Sequence, residues 1–122
     1  MTAVLDASAL LAFLQGEAGT DVVEEQLDGE PICGAANWSE VAQKVLAAGR
    51  DWDLARALLL SYDIDVEPVT VDDAERAARR WRPGAGLSLG DRLCLALADR
   101  TTLPVWTADT AWGTDAGINQ IR

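Results

Sequence analysis

Four carboxylates, Asp6, Glu40, Asp91 and Asp109, recur at one place in the pattern of this chain: after a β-like run, at or near the start of a helical one. Singly, each has an ordinary structural role. Asp6 and Asp109 suit helix N-caps, and residues 37–40 and 88–91 fit capping boxes or close relatives of them. Glu40 can also pair with Lys44 one turn later, for only ~0.2–0.5 kcal/mol. Together the four suggest more. In an open α/β sheet the helices that follow strands begin at the strands' carboxyl ends, where ligands bind at the topological switch point. If the first and fourth strands are neighbours there, Asp6 and Asp109 face each other across the crevice and Glu40 and Asp91 rim it. Two carboxylates ~5 Å apart repel by roughly 3 kcal/mol at an effective dielectric of ~20. A hard, oxygen-loving cation such as Mg2+ or Mn2+ offsets that repulsion. Such a site supports hydrolysis of phosphodiesters, because a carboxylate-held ion activates water and stabilises the leaving oxygen. Ser8 and Thr107, small hydroxyls beside the acids, could orient ligands or waters, or serve simply as cap and turn residues.

The elements that must position these groups alternate strand and helix, the pattern of an α/β fold with a mainly parallel sheet. Strands are predicted at residues 3–5, 31–33, 64–69 and 105–107, with a fifth at 118–121. Pro68 makes the third an edge strand. Helices are predicted at 8–14, ending near Gly16, and at 21–28, then along a stripe of Trp38, Val41, Ala42, Val45 and Leu46 stopped by Gly49. Further helices follow at 51–62, 71–81 and 91–99, and a short turn of helix surrounds Ala111 and Trp112. Helix 91–99 is apolar on all sides and is expected to be covered. No repeat or linker interrupts residues 1–122, which read as one domain.

Composition narrows the chemistry. The chain has no histidine and two cysteines, so Ser-His-Asp, Cys-His and His/Cys zinc chemistry are excluded. Neither a membrane-length apolar run nor a secretory leader is evident, and Cys33 and Cys94 read as reduced core residues of a cytoplasmic protein. The net charge is −10, with eight acids and no base in the first 43 residues. Against this stands one positive stretch, Arg76, Arg79, Arg80, Arg82 and Arg92. Two readings of it stay level: a solvated helix face that favours the helix dipole, or a track for phosphates.

The motifs as they stand, Val4-Leu5-Asp6-Ala7-Ser8-Ala9-Leu10, Asn37-Trp38-Ser39-Glu40-Val41, Leu87-Ser88-Leu89-Gly90-Asp91-Arg92 and Trp106-Thr107-Ala108-Asp109, resemble the four acidic motifs of PIN domains. More narrowly the chain is similar to VapC toxins of bacterial toxin–antitoxin pairs, over essentially its whole length. That resemblance implies a three-layer α/β/α fold with four to five strands and an Mg2+-dependent (or Mn2+-dependent) endoribonuclease. It also implies a VapB-type antitoxin that blocks the acidic crevice, RNA as substrate, and a homodimer. Asp6 and Asp91 would be the principal metal ligands, with Glu40 and Asp109 completing the site and Asp109 also a ligand. Asp115 lies where some members carry a further acid, and here reads more readily as a surface residue.

Two other functions compete. A receiver-type signalling domain needs paired acids after the first strand, an aspartate after the third and a lysine after the fifth; here Asp6 stands alone, Val69-Thr70 follows the third, and the single lysine is Lys44 in a helix. A PIN-like module that only binds is compatible with the sequence, though retention of all four acids argues for catalysis. Trp38 and Trp106 are expected in the core, whereas Trp52, Trp81 and Trp112 sit near element ends and could stack on bases or dock a partner. Leu54, Leu58, Leu59 and Leu60 spread wider than one buried face needs, which points to a protein–protein surface. The acidic first third would complement a basic antitoxin segment.

Overall fold

A computed structural model describes residues 2–122. Five parallel strands form one sheet in the order β3-β2-β1-β4-β5. In chain order the strands are β1 (Val4–Leu5), β2 (Ile32–Gly34), β3 (Asp65–Glu67), β4 (Val105–Thr107) and β5 (Ile118–Gln120). The helices are α1 (Ala7–Gln15), α2 (Thr20–Leu27), α3 (Ala35–Ala47), α4 (Trp52–Leu60), α5 (Val71–Arg80) and α6 (Leu89–Thr101), with a 3₁₀ turn at Thr110–Trp112. β1 lies between β2 and β4, pairing Val4 with Ile32 and with Val105. The chain works outward from β1 to β3, then crosses back to β4, so the switch point falls between β1 and β4, as the acid pattern required.

Alternation along the strands divides the core in two. Leu5 and Cys33 face a cluster built with α1, α2, α3 and α4, including Leu10, Val23, Leu27, Val41 and Leu59. Val4, Ile32 and Val105 face the other side, against Cys94, Leu95 and Leu97 of α6. α5 covers α6 from outside, giving three layers. The two layers of helix are why α6 is apolar nearly all round: Cys94 to Ala98 are buried. The join between α5 and α6 includes a buried carboxylate, Asp73, gripped by Arg100 through Nε (3.0 Å) and Nη2 (3.2 Å). Asp73 also completes a capping box with Thr70.

Several expectations need correction. The third strand is only three residues, because Pro68 has no N–H with which to extend it. Leu46 is exposed rather than on the buried stripe of α3; Asn37 occupies the buried face instead. Trp38 and Trp106 are half-buried, and Trp38 packs edge-on against Trp52 at 5.4 Å. Trp112, read as a residue near an element end, is buried, while Trp81 is exposed. Both cysteines are free and buried, and burial pushes their thiols well above the ordinary range. Among the described residues no helix is long and apolar enough to cross a membrane.

Candidate active site

Asp6 leaves β1 and caps α1, accepting from Ala9 N at 2.8 Å. The chain must turn from strand to helix within one residue, and an aspartate side chain satisfies a free N–H of the first turn. The same carboxylate reaches across the switch point: Thr107, at the end of β4, donates its hydroxyl to Oδ2 at 2.6 Å. Ser8 Oγ donates to both oxygens, at 2.8 and 2.9 Å. The two hydroxyls are themselves oriented, Ser8 Oγ accepting from Ala108 N at 2.9 Å and Thr107 Oγ1 from Asp109 N at 3.0 Å. Ser8 and Thr107 thus do more than cap: they lock the end of β1 to the end of β4 around one carboxylate.

Asp6 is 3% exposed. Burial raises its pKa from 3.8 to about 6, against the lowering pull of Thr107, Ala9 and Ser8; the charge of Asp91 adds to the rise.

Glu40 projects from α3, where the buried Asn37, one turn earlier, donates Nδ2 to its Oε1 at 2.9 Å. Asn37 Nδ2 also reaches Gly90 O on α6 at 3.2 Å. Gly90 permits this approach, since a Cβ there would overlap Glu40 Oε1. Asp91 is the third residue of α6 and closes a capping box: its Oδ2 accepts from Ser88 N at 3.0 Å, and Ser88 Oγ accepts from Asp91 N at 3.1 Å. Asp109 caps the 3₁₀ turn, Oδ1 accepting from Ala111 N at 2.9 Å.

All four acids line a single pocket of about 180 Å³, with Ala7, Ser8, Leu11 and Lys44. Asp6, Asp91 and Asp109 do cap helix starts, but residues 37–40 form no capping box: α3 starts at Gly34 with no side-chain cap, and Glu40 lies inside the helix. One oxygen each of Glu40, Asp91 and Asp109 is held by a local partner; the other accepts no hydrogen bond among the described residues. No group of three His, Cys, Asp or Glu among the described residues forms a ready cage for an ion. The donors that line the pocket are all oxygens, the ligand type that hard divalent cations take.

The other candidates lie elsewhere. Asp115 is exposed and lines a separate cavity with Arg80, Asp99 and Ile118. None of the five arginines lines the acid pocket. Arg76 and Arg79 pair with Asp72 and Glu75 on their own helix, Arg80 with Asp99, and Arg82 and Arg92 donate to backbone carbonyls. The pairing of Glu40 with Lys44 is not formed; the glutamate instead accepts from Asn37 through Oε1. Sequence reasoning passed over Asn37 and Gly90 as functional groups. The available signals were a polar residue three before Glu40 on the same helical face, and a glycine inside the first turn of α6, where it costs helix stability unless something must approach closely.

Comparison with known proteins shows the family. The PIN domain family model matches residues 3–114. Ribonuclease VapC42 of Mycobacterium tuberculosis is 34% identical over 114 residues, spanning 84% of this chain and 86% of that protein. Among solved structures, a toxin–antitoxin complex from Klebsiella pneumoniae superposes with a TM-score of 0.79 at 21% identity, over 99% of this chain and 98% of that one. Mycobacterium tuberculosis VapC20, described as a sarcin–ricin loop cleaving toxin, superposes at 0.72 with 18% identity, over 92% of this chain and 95% of that one. The chain belongs to the PIN domain family and, within it, stands with the VapC ribonucleases.

Proposed function

We propose that this chain is a divalent-metal-dependent endoribonuclease, the toxin of a toxin–antitoxin pair. The observation that carries the reading is one pocket lined by four carboxylates from four separate segments of the chain, the β1–α1 junction, the body of α3, the start of α6 and the turn after β4, in a member of a ribonuclease family. Asp6, Asp91 and Asp109 would hold Mg2+ or Mn2+, and Glu40 would complete the acidic wall. Such an ion supplies an activated water and neutralises charge on the phosphate undergoing attack. The protein's own part is positioning. Ser8 and Thr107 hold Asp6 in one orientation, Ser88 does so for Asp91, and Asn37 keeps Glu40 beside α6. The antitoxin is expected on an apolar groove of about 240 Å³ between α1, α3 and α4, lined by Leu11, Leu14, Val45, Leu54 and Leu58. The groove shares Leu11 and Lys44 with the acid pocket, so a segment seated there would pass its mouth. A homodimer and residence in the cytoplasm complete the proposal.

The test is cleavage of single-stranded RNA by the purified chain. Cleavage should vanish in EDTA, return with Mg2+ or Mn2+, and fall about a hundredfold or more in Asp91→Asn. Expression without the antitoxin should arrest growth, and Asp6→Asn or Asp91→Asn should relieve the arrest. The same weak background in wild type, in Asp91→Asn and in EDTA would favour a PIN-like module that binds without cutting.

A further inference from the structure

An electronegative pocket is a poor host for a polyanion unless something at its rim offers positive charge. The arginine stretch does not reach the acid pocket, and its members are engaged in ion pairs or with carbonyls. Lys44 does reach it. It is the single lysine of the chain and the sole base among the residues lining the pocket. It is exposed, one turn along α3 from Glu40, yet forms no salt bridge among the described residues. It also lines the adjoining depression, whose walls include Ser8, Asp109 and Arg122. The Lys44 side chain, an ammonium on a flexible four-carbon stem, therefore lines both hollows and has no carboxylate partner among the described residues. Arg122, the other base of the depression, is tied to Glu17 at 3.5 Å and to Ala18 O at 3.0 Å.

We infer that Lys44 binds a backbone phosphate of the RNA strand at the mouth of the acid pocket, and that the strand leaves over Lys44 and not along the arginines of α5. The inference rests on the ribonuclease reading. A lysine in this role acts as a point charge: it contributes to affinity and its salt dependence and carries no base specificity. It touches substrate without joining the reaction, so its loss should appear in KM and leave kcat nearly unchanged.

The experiment is steady-state cleavage of a fluorescent single-stranded RNA oligonucleotide at saturating Mg2+, between 50 and 200 mM KCl, a range chosen as roughly that over which counterion release is read. Lys44→Ala should raise KM about tenfold, with kcat within about twofold of wild type. Each phosphate contact contributes about 0.7 to the salt slope on a single strand, so raising salt fourfold should penalise the variant about 2.6-fold less than wild type. Lys44→Arg, which keeps the charge, should restore most of the affinity and the slope. Arg79→Ala should match wild type in both. Wild-type KM and slope in Lys44→Ala, or a fall in kcat at unchanged KM, would overturn the inference while leaving the ribonuclease intact. A changed slope in Arg79→Ala with an unchanged Lys44→Ala would move the strand onto α5. If wild type itself does not cleave RNA, both proposals fall together.

Discussion

Burying Asp6 should cost the protein stability at neutral pH, and replacing it by asparagine should return that stability as activity is lost. The native carboxyl has a pKa of about 6, against 3.8 when unperturbed, with burial as the main cause. Between those values the native state holds a proton that the unfolded chain has released, so stability falls as pH rises through the window and is level above it. Each tenfold in acidity is ~1.4 kcal/mol, so the full displacement corresponds to about 3 kcal/mol. Asparagine carries no charge at any pH. It can still accept from Ala9 N, and its amide can donate to Thr107 Oγ1 where Asp6 Oδ2 now accepts at 2.6 Å. Some of the gain is lost in that exchange, leaving about 2 kcal/mol. Urea denaturation of wild type and Asp6→Asn in EDTA, from pH 4 to pH 8, reads the difference directly. The two should be nearly equal near pH 4, with the variant about 2 kcal/mol ahead by pH 8. Other titrating groups are common to both proteins and cancel in the comparison. A difference that stays flat with pH, or wild type ahead at pH 8, would refute the argument that desolvation dominates at Asp6.

Gly90→Ala should separate stability from activity: a Cβ there overlaps Glu40 Oε1, so RNA cleavage should drop about tenfold or more. The melting temperature should hold or rise, since alanine favours a helix by up to about 1 kcal/mol. Thr107→Val removes the shortest hydrogen bond to Asp6; because that bond lowers the Asp6 pKa, NMR titration of the carboxyl should place it above the wild-type value of about 6. A lower value would count against the assigned role. Arg100→Ala strips the partner from the buried Asp73 and should destabilise the fold by about 2 kcal/mol near neutrality by urea titration. Burial alone would raise the Asp73 pKa, but its bonds to Arg100 and Thr70 outweigh it and leave it below 3.8. The stabilisation is therefore present above 3.8 and lost as pH falls below it, and the penalty of Arg100→Ala should fade in acid.

Much of the architecture is local chemistry and so was legible. Capping obeys rules that span three or four residues. That is why Asp6, Asp109, the Ser88–Asp91 box and the order of strands and helices could be read along the chain. Edge status at the third strand followed from Pro68, although its short length did not. Where side chains sit around a helix proved less secure: Leu46, placed in the periodic stripe, is exposed, and the polar Asn37 is buried where α3 packs against α6 as well as the sheet. The tryptophans misled for a similar reason, since an indole can cover a core from an element's end, as Trp112 does.

By itself the chain's residue order determined an α/β protein with acids capping the starts of helical segments, no histidine chemistry and one arginine-rich helix. Only the tertiary structure decided that β1 and β4 adjoin, so that Thr107 reaches Asp6 across 101 positions, and that Gly90 yields room to Glu40. It alone puts Lys44 in the lining of the acid pocket and leaves Asp115 and the arginines of the stretch out of it. The physical reason is range: caps and periodicity act within a helical turn, whereas a pocket is made by contacts between residues that packing, not sequence proximity, brings within a few ångströms.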